Sequence, residues 1–239
     1  MGLQKALRFM MKKMGWSERM AFVAMLSQAA LDRIVSRGMT IGTVVDIGAS
    51  NGMWSESVMP YFPHAKYLLI EAQDVHAADL KRFTASHPNA EYVLKAAGEK
   101  AGTVYFDGAE PFSGQAMTEA GREGLIEVPT CSIDEEVAAR GLPGPYMLKF
   151  DVHGFELPIL RGAKETLEST ALLVMECYNF EIAPECLLFH DMCRHLHQLG
   201  FRVADMSEPL WRPHDKMLWQ MDIFFVRSDR PEFRHSSYK

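Results

Sequence analysis

Thr43-Val44-Val45-Asp46-Ile47-Gly48-Ala49-Ser50-Asn51-Gly52 is the segment from which the architecture follows. Its apolar, β-branched start reads as a buried strand, the small residues after it as a tight turn, and a helix is predicted to begin near Met53. Such a junction lets backbone approach a ligand closely and aims helix N–H groups at it. The next predicted strand, Tyr67 to Glu71, ends in an acid nineteen residues after Gly52. A carboxylate there can accept both hydroxyls of a ribose, as it does in nucleotide-binding α/β folds. The glycine spacing narrows the nucleotide. A dinucleotide fingerprint needs glycine at positions one, three and six, but Ser50 and Met53 stand at the second and third of those places. D-x-G-x-x-x-G fits S-adenosylmethionine better than NAD, because the sulfonium cofactor has no pyrophosphate to cradle. The candidate cofactor contacts here are Asp46, Gly48, Ala49, Ser50, Asn51, Gly52 and Glu71.

On both sides of this segment, short apolar runs alternate with helical stretches from Thr43 onward, the pattern of a parallel sheet wound with crossover helices. Seven strands are predicted: Thr43 to Ile47, Tyr67 to Glu71, Tyr92 to Ala97, Tyr146 to Val152, Leu172 to Cys177, Phe201 to Met206 and Met221 to Val226. Leu157, Leu160, Ala163 and Leu167 mark one amphipathic helix; Leu188, Met192, Leu196 and Leu199 mark another, stopped by Gly200. No helix separates the last two strands, which predicts an antiparallel final hairpin. Asp107 to Glu123 and Ser207 to Gln220 resist regular assignment and read as long loops. Two helices, Leu3 to Met14 and Ser17 to Arg37, precede the sheet. The expected organisation is a helical extension over 1–40, an α/β domain over 41–228 and a polar tail over 229–239 that frays.

The composition is that of a folded protein: 239 residues, 48% hydrophobic and 23% charged. Lys plus Arg number 25 against 31 Asp plus Glu, a net charge of −6, which argues against nucleic acid as the partner. No apolar run reaches the ~18 residues of a membrane span. The opening residues lack the pattern of a secretory signal, and Ala6 stands where a myristoylation signal wants Ser or Thr, so a cytoplasmic location is expected. The first helix is basic and amphipathic, with Lys5, Arg8, Lys12 and Lys13 beside Leu3, Leu7, Phe9 and Met10. It suits packing on the domain or peripheral contact with a membrane. Cys131, Cys177, Cys186 and Cys193 form no C-x-x-C pair, so neither a zinc knuckle nor a redox motif is indicated. The oligomeric state is open.

The second chemical cluster is Tyr146-Met147-Leu148-Lys149-Phe150-Asp151-Val152-His153-Gly154-Phe155-Glu156, followed by Leu160-Arg161-Gly162-Ala163. Ligands of a doubly wound sheet sit beyond the carboxyl ends of the strands, which places Asp151 and His153 at the site and makes Glu176, at the end of the following strand, a neighbour. These motifs, with Asp46-Ile47-Gly48-Ala49, Val128-Pro129-Thr130-Cys131-Ser132-Ile133-Asp134 and Leu173-Val174-Met175-Glu176, resemble the FkbM-type methyltransferases over about residues 43 to 226. That resemblance implies a Rossmann-like class I methyltransferase fold: α/β, with a seven-stranded, mostly parallel sheet, an antiparallel last strand and helices on both faces. It also implies S-adenosylmethionine as cofactor and a hydroxyl on a sugar, glycan or secondary metabolite as acceptor. His153 departs from the acidic or amide residue usual at its position, and Ser50 from a frequent Asn.

Methyl transfer to a hydroxyl needs an in-line acceptor and a destination for its proton. The candidate catalytic residues are Asp151, His153 and Glu176, with Asp151 also a cofactor contact. A divalent cation held by Asp151, Glu176 and Asn179 is the alternative way to acidify the hydroxyl. Glu156 is expected to complement the start of its helix, Trp211 and Trp219 to stack on an acceptor or cover the core, and His190, His195 and His197 to form no site. The competing functions are an NAD-dependent oxidoreductase and a non-catalytic protein that binds S-adenosylmethionine.

Overall fold

Thr43–Ile47 forms β1, and all five of its residues are buried, as a strand covered on both faces requires. The computed structural model describes residues 26–108, 114–119 and 124–238. In chain order the elements are α1 (Ser27–Val35), β1, α2 (Met53–Val58), β2 (Lys66–Glu71), α3 (Ala77–Ser86), β3 (Ala90–Leu94), β4 (Ala96–Ala97), β5 (Gly102–Asp107), β6 (Gln115–Met117), β7 (Ile126–Cys131), α4 (Ile133–Ala139), β8 (Tyr146–Phe150), α5 (Glu156–Arg161), α6 (Lys164–Glu168), β9 (Thr170–Tyr178), α7 (Phe189–Gln198), β10 (Phe201–Trp211) and β11 (Leu218–Arg227). The predicted helix Leu3 to Met14, with its membrane-facing reading, and the first part of Ser17 to Arg37 lie outside the described residues. The remainder of the latter is α1, closed near Gly38 at φ +73°.

Seven strands form one sheet in the order β10-β11-β9-β8-β1-β2-β3. β1 pairs in parallel with β2 and β8, β2 with β3, and β8 with β9, whereas β11 runs antiparallel to both β9 and β10. This is the expected class I methyltransferase arrangement, final hairpin included. The chain leaves β1 toward β2 and β3, then returns to lay β8 on the opposite side, so the strand order reverses at β1 and β8. The crevice opened there is where ligands of such sheets bind. Alternate residues of β1 feed the two faces. Val45 and Ile47 pack with Leu160 of α5 and Leu196 of α7, while Val44 packs with Leu31 of α1, Val58 of α2 and Leu80 of α3. α1 is tied to β10 by Arg33, whose Nε lies 2.7 Å from Asp205.

Four boundaries differ from the sequence reading. Tyr92 to Ala97 is not one strand: β3 ends at Leu94, and Ala96–Ala97 pairs with β7 in a second sheet ordered β4-β7-β5-β6. That sheet also claims part of Asp107 to Glu123, read as a loop, because Gln115–Met117 pairs with β5. Most of Ser207 to Gln220 is strand too, leaving only residues 212–217 between β10 and β11. The amphipathic stretch from Leu157 to Leu167 is two helices, broken where Gly162 meets the turn before β5; a Cβ on Gly162 would lie 2.2 Å from the Gly98 carbonyl oxygen. In the polar tail, Pro231–Arg234 forms a 3₁₀ turn, and the Arg202 guanidinium lies 4.0 Å over the Phe233 ring. No helix among the described residues is long and apolar enough to cross a membrane.

Candidate active site

The turn after β1 carries three left-handed residues, Gly48 at φ +79°, Ser50 at φ +50° and Gly52 at φ +84°. Gly48 and Ala49 donate their N–H groups to the Ile70 carbonyl at 2.9 and 3.1 Å, which ties the turn to β2. A Cβ on Gly48 would lie 2.0 Å from the Asp151 carbonyl oxygen, so only glycine lets this turn touch the end of β8. Glu71, buried at the end of β2, accepts the Ser50 N–H on Oε2 at 2.7 Å and the Gln73 N–H on Oε1 at 2.8 Å. An ionised carboxylate offers about four lone-pair sites, so roughly two stay open for ligand hydroxyls.

Gly48, Ser50, Glu71 and Asp151 line one cavity of about 580 Å³, a size typical of small-molecule sites. The other residues nominated from the turn support it from behind. Asp46 is buried, with Oδ2 accepting the Ser55 hydroxyl at 2.7 Å and Oδ1 without a hydrogen-bond partner among the described residues. Burial raises its pKa, against the opposing charge of Lys149. Asn51 accepts the Met53 N–H at 3.1 Å, Ala49 is buried, and a Cβ on Gly52 would press on the Phe83 ring at 3.0 Å.

The three candidate catalytic side chains, Asp151, His153 and Glu176, line the same cavity. His153 holds φ +50°, a strained value for a non-glycine residue, followed by Gly154 at φ +102°. A Cβ on Gly154 would lie 2.6 Å from that of Ala183, and Glu156 accepts the Gly154 N–H at 2.9 Å, so the His-Gly turn is built tightly onto α5. His153 Nδ1 lies 2.8 Å from the Tyr178 hydroxyl and 3.2 Å from Glu176 Oε2, and Tyr178 donates to Glu176. Tyr178 therefore spends its proton on Glu176 and accepts from Nδ1–H, which fixes the tautomer and leaves Nε2 as the acceptor of the ring. Nε2 is 3.8 Å from Asp151 Oδ1. Burial disfavours the imidazolium, but the hydrogen bond to Glu176 and the charges of Asp151 and Glu176 outweigh it and hold the pKa of His153 above its ordinary value. Lys149, buried in β8, donates to Asp151 Oδ2 at 2.5 Å. Burial opposes the Asp151 carboxylate, yet Lys149 keeps its pKa below the usual range.

Asp151, His153 and Glu176 lie close enough to share a cation. The donor set does not fit one. The Lys149 ammonium already neutralises Asp151, and the Nδ1–H of His153 faces Glu176. Asn179, the third ligand nominated from sequence, turns its amide to the Leu218 carbonyl at 3.3 Å and is absent from the cavity lining. His190, His195 and His197 gather no such group among the described residues.

The remaining wall comes from the second sheet, through Phe106, Gln115 and Ala116, and from β11, through Trp219 and Gln220. Gln220 donates to Glu176 Oε1. Trp211, by contrast, is exposed. Sequence reasoning gave no role to Lys149, Tyr178 or Gln220. A lone lysine inside the apolar run of a central strand is a legible signal, since a buried ammonium needs carboxylates beside it. Tyr178 and Gln220 carry no such signal, because their roles depend on β9 and β11 pairing in register.

The family model of the methyltransferase FkbM domain matches residues 46–203. "Hexuronic acid methyltransferase AglP" of Haloferax volcanii is 30% identical over 77 residues, 32% of this chain and 32% of that protein, so the match spans about a third of the relative. Among solved structures, methyltransferase FkbM from Methylobacillus flagellatus KT superposes with a TM-score of 0.49 at 16% identity, covering 76% of this chain and 43% of that one. Magnesium protoporphyrin IX methyltransferase (ChlM) from Synechocystis PCC 6803 gives 0.48 at 11%, over 84% and 77%.

Proposed function

Because the chain belongs to the FkbM methyltransferase family, we propose that it moves a methyl group from S-adenosylmethionine to a hydroxyl of a sugar, glycan or secondary metabolite. The observation that carries this reading is one cavity lined by both Glu71 and an oriented His153. The cofactor, when bound, supplies an electrophilic methyl on a sulfonium. Glu71 would hold its ribose hydroxyls, and Gly48 and Ser50 would border it with backbone. The carboxylates that line the cavity suit a cationic ligand.

His153 Nε2 would take the proton of the acceptor hydroxyl, the methyl group coming from the sulfonium and leaving S-adenosylhomocysteine. The imidazolium so formed is stabilised through Nδ1–H by Tyr178 and Glu176, which also keep the ring in place. Asp151, its charge balanced by Lys149, would help to hold the acceptor hydroxyl near Nε2. The hexuronic acid named for the Haloferax relative supports saccharides as the first acceptors to screen.

Calorimetric titration with S-adenosylhomocysteine and, in parallel, NAD tests the cofactor. Micromolar binding of the homocysteine product, silence with NAD and a loss of about tenfold or more in Glu71→Ala are expected, since the variant removes hydrogen bonds to a charged acceptor. NAD binding without product binding would overturn the reading.

A further inference from the structure

The wall built by β11 holds an aromatic group braced from several sides. Trp219 lines the cavity and stacks on Phe180, with ring centroids 5.3 Å apart and planes inclined by 24°. The Tyr178 ring meets it edge-on at 5.9 Å and 85°. The Arg212 guanidinium lies 3.9 Å over Phe180 and is held by Asp215, at 3.2 Å from its Nε. The Asn179 N–H donates to the Trp219 carbonyl at 2.9 Å. An indole fixed in this way loses little freedom when a ligand lands on it.

The same Tyr178 ring lies edge-on to His153, centroids 6.4 Å apart, so Trp219 and the candidate base flank one tyrosine. Gln220, next in the chain, spends its amide donor on Glu176 and keeps its carbonyl oxygen for a hydroxyl. The cationic side chains around this end of the cavity are already committed to carboxylates. Asp151 and Glu176 face it. Among the described lining residues the basic groups are His153, between those two carboxylates, and Lys95, whose ammonium is 3.0 Å from Glu136. A carboxylate brought in on the acceptor would find neither basic group of the lining without a carboxylate partner, and would be desolvated near Glu176.

We propose that Trp219 is the platform on which the acceptor ring stacks, and that this ring is an uncharged pyranoside and not a uronate. The inference rests on the methyl-transfer reading above. Its recognition chemistry is the apolar face of a sugar against indole, with hydroxyls turned to Gln220, Asp151 and His153.

The test uses the full chain saturated with S-adenosylhomocysteine. It is titrated with methyl glucoside, galactoside and mannoside and with the matching uronates, followed by calorimetry and saturation-transfer NMR. Wild type is compared with Trp219→Ala and Trp219→Phe. Expected are binding of at least one neutral glycoside more tightly than its uronate, a loss of about tenfold in Trp219→Ala, and recovery of most of that loss in Trp219→Phe. Affinity for the homocysteine product should stay the same in all three proteins. Tighter binding of a uronate, no loss in Trp219→Ala, a parallel loss of product affinity, or no neutral glycoside bound while product still binds would each overturn the proposal. Failure of wild type to bind the product would instead strike the methyl-transfer reading beneath it.

Discussion

His153 sits in a strained backbone conformation, with one ring nitrogen committed to Tyr178 and Glu176 and the other facing the cavity. Its raised pKa gives the proposed methyl transfer a definite pH dependence. A base must be neutral, so kcat/KM should climb with pH through one ionisation above 6.5, the ordinary value for histidine. Glu176→Gln removes the anion that favours the imidazolium, and a pH–rate profile should show the limb displaced to lower pH with a lower plateau. In folding the same shift contributes stability that is full below about 6.5 and fades as pH rises through the native pKa. The residues read from sequence as catalytic do assemble, because strand ends in a doubly wound sheet must converge. Which nitrogen of His153 is free could not be read there, since it follows from Tyr178, a residue two positions from Glu176 along an extended strand.

Between elements, one side chain joins α4 to α6. Asp134 accepts the N–H groups of Glu165 and Thr166 at 3.0 and 2.8 Å, and the Thr166 hydroxyl at 2.6 Å. Ser132 and Glu135 close a capping box at the start of α4 itself. Asp134→Ala should lower unfolding free energy by about 1–2 kcal/mol in chemical denaturation and leave kcat unchanged, as loss of a cap remote from the cavity does. Element by element, legibility followed burial. β1 was found to its end residues, and β8 and β9 to within two, because covered strands carry unbroken apolar runs. β5, β6 and β7 were not found: their faces are part exposed, β6 has three residues, and their pairing joins segments that local pattern cannot relate. The break at Lys95 is invisible for the same reason, since an apolar run does not announce that it passes from one sheet to another.

Taken as a whole, the molecule collects carboxylates near the Asp46 face of its sheet, Asp46 itself buried and Glu176 and Asp222 half-buried. Asp222, paired across from Glu176, has its pKa pushed up to about 7 by burial, against the charge of Lys149 and with the repulsion of Glu208, Glu176 and Asp151. An acid with a raised native pKa favours the folded state only while protonated. The protein therefore loses stability as pH rises from about 4 toward the native value. Asp222→Asn should raise the denaturation midpoint at pH 8 by more than at pH 5; an equal gain at both would show that the carboxyl titrates normally. β11, which carries this residue, lies between β9 and β10. β10 precedes it in the chain yet has no neighbour in the sheet without it. On the ribosome, then, the tenth strand must wait for the eleventh, and the wall formed by Trp219 and Gln220 is the last part of the cavity to exist. A chain still being made can assemble the Glu71 side of the cavity well before the Trp219 side closes it.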